Sequence, residues 1–230
     1  MRHHLATVGL GPILVAQGLW ARWRTPRLPE AAGPRRGASG QGAVLRLLIL
    51  GDSAAAGVGA SDQGQALSGQ LATALAPRYR VEWQLAARTG ATTMSTLGQL
   101  ALMGAVQFDV AVTSLGVNDV VSAVGLATWR REQRQLRAVL RESFGVRQLI
   151  VSGLPPMSVF PALPQPLRWY LGRRARQFDS VLAEDLVGED DVAFLPLDFA
   201  CDVQLMATDG YHPGPAGYRA WAQRVAALVP

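Results

Sequence analysis

The chain has 230 residues, is 49% hydrophobic and carries a formal charge of +5 with a single cysteine. That length and apolar content suit one globular domain with a substantial core and exclude a disordered chain, while the lone Cys201 excludes an internal disulfide and makes no demand on the redox compartment. The positive charge is all arginine, and because Arg130, Arg134, Arg137 and Arg141 fall at helical spacing among Glu132 and Glu142, they read as a solvated helix face; no nucleic-acid partner is expected.

In chain order, Arg2 precedes an apolar stretch from Leu5 to Trp20, interrupted by Pro12 and Gln17 and followed by Arg22, Arg24 and Arg27. The stretch is short for a membrane span, and it ends in Gly18-Leu19-Trp20 rather than in the small residues of a cleavage site. Membrane association through residues 5–20, as a short interfacial or signal-anchor-like helix, is the first expectation, since Trp20 and the flanking arginines suit an interface. A poorly cleaved signal and a helix packed on the domain surface stay open, and a membrane or cell-envelope location is ranked ahead of a cytoplasmic one. Residues 25–41 are rich in Pro, Gly and Ala without either apolar period and read as a linker or surface strap. This gives an N-terminal segment over 1–42 and a folded domain over 43–230.

Beyond that point, short apolar runs at 43–50, 80–86, 110–115, 148–152 and 192–196 alternate with helical patterns at 65–75, 93–103, 128–144 and 167–186. A closing helix over 215–228 has Pro215 at a tolerated first-turn position. The alternation predicts an α/β fold, a three-layer α/β/α sandwich around a five-stranded parallel sheet. In such a sheet ligands collect at the carboxyl ends of the strands. Ser53, Gly90, the run Gly116-Val117-Asn118-Asp119, the pair Pro155-Pro156, and Asp209 with His212 all fall after predicted strands.

Each of these motifs has a structural alternative. Ser53, in Gly51-Asp52-Ser53, is either a hydroxyl exposed at a strand-to-loop turn or a helix cap. Gly90 either brings its amide close to a reacting oxygen or simply makes a turn. Asn118 offers an amide donor to an oxyanion, or it forms a turn with Asp119. Asp209 and His212 stand three apart, a spacing that sets carboxylate beside imidazole, and His212 is the one histidine outside the extreme N-terminus. A hydroxyl nucleophile needs a base within hydrogen-bond reach and a third group to fix the base's tautomer. The order Ser, Asp, His is one of the known arrangements, and the loops together point to a serine hydrolase.

Other chemistries fit poorly. Gly57-Val58-Gly59 is followed by Asp62 where a dinucleotide fingerprint has its third glycine, and no Gly-Lys-Ser/Thr makes a phosphate loop. Three histidines, two of them terminal, and one cysteine do not build a zinc site, although a carboxylate site stays open. No metal and no cofactor is expected.

From about residue 43 to the C-terminus the chain resembles the SGNH, or GDSL-type, hydrolases. Ser53 in Gly51-Asp52-Ser53 matches that family's nucleophile block, Gly90 its glycine block, Asn118 its asparagine block, and Asp209 with His212 its Asp-x-x-His block. The resemblance implies a flavodoxin-like sandwich, catalysis by Ser53, Asp209 and His212, and an oxyanion hole made by the amides of Ser53 and Gly90 with the Asn118 side chain. Ala54 stands where many members have leucine, and Arg88-Thr89 precedes Gly90 where many have an asparagine-containing segment.

The proline-stiffened loop over 153–163 supplies Leu154, Met157, Phe160 and Leu163, which either line an acyl pocket or pack against the next helix. A small-molecule lipid-type or short-to-medium-chain acyl ester is therefore expected ahead of a carbohydrate O-acetyl ester. An acyltransferase on the same triad and a non-catalytic acyl- or glycan-binding module are the rival readings.

Overall fold

The computed structural model describes the backbone of residues 2–230 and the side chains of residues 10–198 and 200–230. Helix α1 (Arg2–Arg24) leads into a short strand β1 (Arg36–Ser39), and the sheet continues with β2 (Val44–Gly51), β3 (Arg80–Ala87), β4 (Val110–Ser114), β5 (Gln148–Ser152) and β6 (Val192–Leu195). Between and after them run α2 (Leu67–Leu75), α3 (Thr93–Ala101), α4 (Val117–Val121), α5 (Leu126–Phe144), α6 (Leu167–Asp185) and α7 (Pro215–Leu228). The spatial order is β1-β3-β2-β4-β5-β6, with β1 antiparallel and every other pair parallel.

The sheet thus has six strands rather than the expected five. The sixth comes from the Pro/Gly-rich segment, which carries no period-2 signal because an exposed edge strand has no buried side to mark. The same segment is stitched to the domain: the Glu30 carboxylate accepts from the Thr89 amide at 2.7 Å and pairs with Arg35, and Gln63 Nε2 donates to the Ala31 carbonyl at 3.1 Å.

Burial on both faces explains the continuous apolar runs of the central strands. Along β2, Leu47 and Ile49 point toward α2 and α7, where Leu71, Leu75, Tyr218 and Trp221 meet them. Leu48 and Leu50 point the other way, into the layer of Trp129, Leu136, Leu140 and Phe178 from α5 and α6. Helix α5 buries Trp129, Gln133, Leu136, Leu140 and Phe144, a stripe at helical spacing, and stops at Gly145 in the left-handed region, φ 63°.

The arginines of α5 are only in part the solvated face expected from their spacing: Arg130 and Arg134 are exposed, Arg141 is half-buried and Arg137 is buried, and all four meet acids. Arg130 and Arg134 both bind Asp185, Arg137 and Arg141 bind Glu189, and Arg141 also binds Asp191. The acids come from the end of α6 and the turn after it, some 50 residues downstream, so no local pattern discloses the pairing. Arg137 is almost wholly buried in this ladder.

On α1, Leu14 and Ala21 are buried, and Gln17 accepts from the Leu167 amide at 3.0 Å while donating to the Gln165 carbonyl at 2.6 Å. The helix is therefore docked on the start of α6. Side chains 5–9 of the apolar stretch lie outside the described residues. Among the described residues no helix is long and apolar enough to cross a membrane.

Candidate active site

The strand order turns back at β2, which has β3 on one side and β4 on the other, and this opens a crevice at their carboxyl ends. Ser53 leaves β2 in that crevice. Gly51 is required just before it, since a Cβ there would lie 2.5 Å from the Ala55 methyl and 2.7 Å from the Ser114 carbonyl. The closing loop brings up its partner. Gly210, at φ 62°, lets residues 207–212 double back, with the Ala207 amide bonded to the His212 carbonyl at 2.8 Å.

Within that loop the buried Asp209 carboxylate serves two purposes. Its Oδ1 accepts from the backbone amides of Tyr211 and His212 at 2.9 and 3.0 Å, and its Oδ2 faces His212 Nδ1 at 2.6 Å. The other ring nitrogen, Nε2, stands 2.8 Å from Ser53 Oγ. Burial pushes the Asp209 carboxyl up, but the imidazole and the two amides outweigh it and hold the group below the usual carboxylate range. The carboxylate accordingly favours the tautomer with hydrogen on Nδ1, leaving Nε2 as acceptor for the serine hydroxyl. Residues 53 and 212, 159 apart in sequence, are within reach of proton transfer.

The backbone amides of Ser53 and Gly90 donate to no acceptor among the described residues, and a Cβ at Gly90 would meet nothing within 4 Å. Both amides are thus left available to a ligand, and the backbone at Gly90 is uncrowded. Asn118 is tied more tightly than its expected role implies: Nδ2 donates to the Ala91 carbonyl at 2.9 Å and lies 3.3 Å from Asp52 Oδ2. These bonds fix the amide between the β2, Gly90 and β4 loops, and the longer contact is the weaker restraint on its second hydrogen.

Two acids that carried no chemical assignment in the sequence hold these loops. Asp52, buried, also accepts from the Ala54 amide at 3.0 Å, and burial raises its carboxyl to about 6. Asp119, expected at most as a turn former, accepts from the amide and hydroxyl of Thr93 at 3.2 Å and so ties α4 to the start of α3, next to Gly90. It too is raised to about 6 by burial. The sequence signal for both was their adjacency to Ser53 and Asn118, which does not disclose burial.

A cavity of about 70 Å3 opens beside Ser53 and His212, walled by Leu154, Phe160, Leu197, Leu205, Met206 and Trp221. Of the four expected lining residues, Leu154 and Phe160 are there, while Met157 and Leu163 are buried in the core on the α6 side and do not line it. Met157 lies in a short helical turn, Met157–Val159, and is buried there. The opposite wall, residues 197–206, consists of two brief helical turns whose apolar residues follow no period. Cys201 lies exposed on this segment and is not among the cavity-lining residues.

Comparison with solved structures finds the same fold. A lipase from a goat rumen metagenome is 16% identical with a TM-score of 0.68, covering 80% of this chain and 97% of its own. An extracellular lipase of Streptomyces rimosus is 21% identical with a TM-score of 0.59, covering 80% and 99%. The acetylxylan esterase Axe2 of Geobacillus stearothermophilus is 16% identical with a TM-score of 0.57, covering 81% and 93%. Comparison with curated proteins finds no match. The model of the GDSL-like lipase/acylhydrolase family matches residues 49–220, which run from the end of β2 through the His212 loop into α7. A match over that much of the crevice-forming chain places the protein in the GDSL-like lipase/acylhydrolase family, as a carboxylic ester hydrolase.

Proposed function

We propose that the protein hydrolyses esters with an apolar, short-to-medium acyl part through an acyl-enzyme formed on Ser53. The observation that carries this reading is the single imidazole of His212 spanning Ser53 Oγ at 2.8 Å and Asp209 Oδ2 at 2.6 Å. In acylation Oγ attacks the ester carbonyl carbon and its proton passes to Nε2. Asp209 then supports the imidazolium through the Nδ1 hydrogen bond. The carbonyl oxygen, negative in the tetrahedral intermediate, takes hydrogen bonds from the free amides of Ser53 and Gly90, with Asn118 as third donor. Collapse expels the alcohol, which takes the proton from Nε2. Water, deprotonated by the same nitrogen, releases the acid and restores Ser53.

The apolar walls of the cavity favour an acyl chain over a sugar, and its volume holds on the order of five water molecules, which suits a chain of a few carbons more than a long fatty acid. That both lipases and an acetylxylan esterase share the fold leaves room for a carbohydrate acetyl ester as the second reading. A fluorophosphonate probe and a series of p-nitrophenyl esters test the proposal. Ser53 is expected to be labelled, Ser53→Ala to lose labelling and at least about 10⁴-fold in turnover, and activity to peak at short or medium acyl length. Unchanged hydrolysis in Ser53→Ala would overturn the mechanism. Activity confined to acetylated polysaccharide would overturn the substrate class.

A further inference from the structure

We propose that α1 is an interfacial anchor, docked on the domain by one face and laid by its opposite face into an anionic lipid bilayer surface. The docked side is set by Leu14, Gln17 and Ala21, which fall three to four residues apart. At 100° per residue, the opposite side carries Pro12, Val15, Ala16, Leu19 and Trp23, with Trp20 at one edge and Arg22 at the other. That side is bare: Val15 is 65% exposed, Leu19 66%, Trp20 49% and Trp23 79%. A helix apolar on both sides needs cover on both. The domain covers one side, and among the described residues nothing covers the other.

Charge selects the cover. Arg22 and Arg24 flank the bare face, and Arg27 follows. The surface that receives α1 continues the pattern, because the start of α6 carries exposed Trp169 together with Arg168, Arg173, Arg174 and Arg176. Residues 1–29 and 153–178 together hold eight of the 22 arginines and none of the 17 acids. Most arginines of α5 lie elsewhere, in the ladder to residues 185–191. The excess positive charge of the chain is thus gathered around one apolar helix face bearing tryptophans, the combination that binds the headgroup region of a negatively charged leaflet.

The placement also bears on substrate supply. The connection between β5 and α6 has Phe160 in the wall of the cavity and Gln165 and Leu167 against α1. A helix held in the leaflet therefore sits one loop away from the acyl cavity. The anchor does not depend on the Ser53 chemistry, and the two fail separately.

Full-length protein is sedimented with vesicles of phosphatidylcholine alone or mixed with phosphatidylglycerol, and intrinsic fluorescence is followed with brominated lipid. Binding to the mixed vesicles is expected to exceed that to phosphatidylcholine by about tenfold or more and to fall with salt, with quenching of the exposed tryptophans. The double substitution Leu19→Glu, Trp23→Glu is expected to lower partitioning by at least about tenfold while leaving hydrolysis of a water-soluble ester within about twofold. The pair Arg22→Glu, Arg24→Glu is expected to abolish the preference for the anionic vesicles. Absence of binding to the mixed vesicles, or equal binding by the Leu19, Trp23 variant, overturns the proposal. So does a concentration-dependent dimer that the same variant dissociates without any vesicle binding, which would make a second copy the cover.

Discussion

Two chains of charged groups cross this molecule, and they are built for different ends. The ladder between α5 and the 185–191 turn joins arginines to carboxylates, so both partners stay ionised across the working pH range. The line Asp209–His212–Ser53 joins one carboxylate to an imidazole and the imidazole to a neutral hydroxyl. The first can only hold two helices together. In the second the middle group can take the hydroxyl's proton through its free ring nitrogen, and it faces an apolar cavity where the outer group can meet a carbonyl. Both rest on short hydrogen bonds, so bond length alone does not separate chemistry from architecture. What separates them is whether a member of the line can change its charge beside open space.

The sharpest way to break that contrast is to disable the middle of the catalytic line while leaving its shape. Asp209→Asn is expected to lower kcat by about 10³- to 10⁴-fold, because the wrong tautomer is then favoured, and to leave the urea midpoint little changed; steady-state kinetics beside equilibrium unfolding checks both. Next comes Asn118→Ala. If its amide donates to the developing oxyanion, kcat falls by about 10²- to 10³-fold with KM little altered. An equal fall for a fast and a slow ester substrate, accompanied by a large loss of stability, would assign Asn118 to loop fixation alone.

The ladder should behave in the opposite sense. Glu189→Ala leaves the buried Arg137 guanidinium without its carboxylate and is expected to cost about 3 kcal/mol of stability, read from chemical denaturation, with kcat of the folded enzyme within about twofold. The smallest expected effect separates the two regions by pH. Asp52 has its carboxyl raised to about 6 by burial, against about 4 in the unfolded chain. The folded state therefore holds the proton more tightly than the unfolded one between those values, so this group's contribution to stability falls as pH rises from about 4 through 6 and stays low above. Asp119 acts in the same window. Asp52→Asn is expected to reduce the fall in denaturation midpoint across that window without abolishing it. The Arg-paired acids, held below the usual range, contribute a rise at the lower end of that window and no fall; a fall of unchanged size in Asp52→Asn would remove the buried acid as its source.

Much of the fold was legible because its signals are local. The run at 47–50, apolar on consecutive residues and ending in Gly51, suits a strand covered on both faces, and the stripe from Trp129 to Phe144 suits an amphipathic helix. The candidate site was legible for a different reason: its residues are chemically rare in this chain, one histidine outside the N-terminus with an acid three residues before it. The edge strand Arg36–Ser39 left no trace, since exposed extended backbone imposes no pattern on its side chains. Met157 and Leu163 were expected in the cavity because they share a loop with Leu154 and Phe160, but both are buried in the core instead, which sharing a loop does not disclose.

By itself the sequence determined the layer architecture, the ends of the strands and the chemical types gathered there, because periodicity, glycine and proline placement and residue rarity act over a few positions. Tertiary structure alone decided that Asp185, Glu189 and Asp191 neutralise the α5 arginines, that Leu197, Leu205 and Met206 form the far wall of the cavity, and that, among the described residues, α1 is covered on only one side. Those outcomes depend on which surfaces meet across tens of residues, and pairing of that kind is set by the packing of the whole sheet rather than by any stretch of chain.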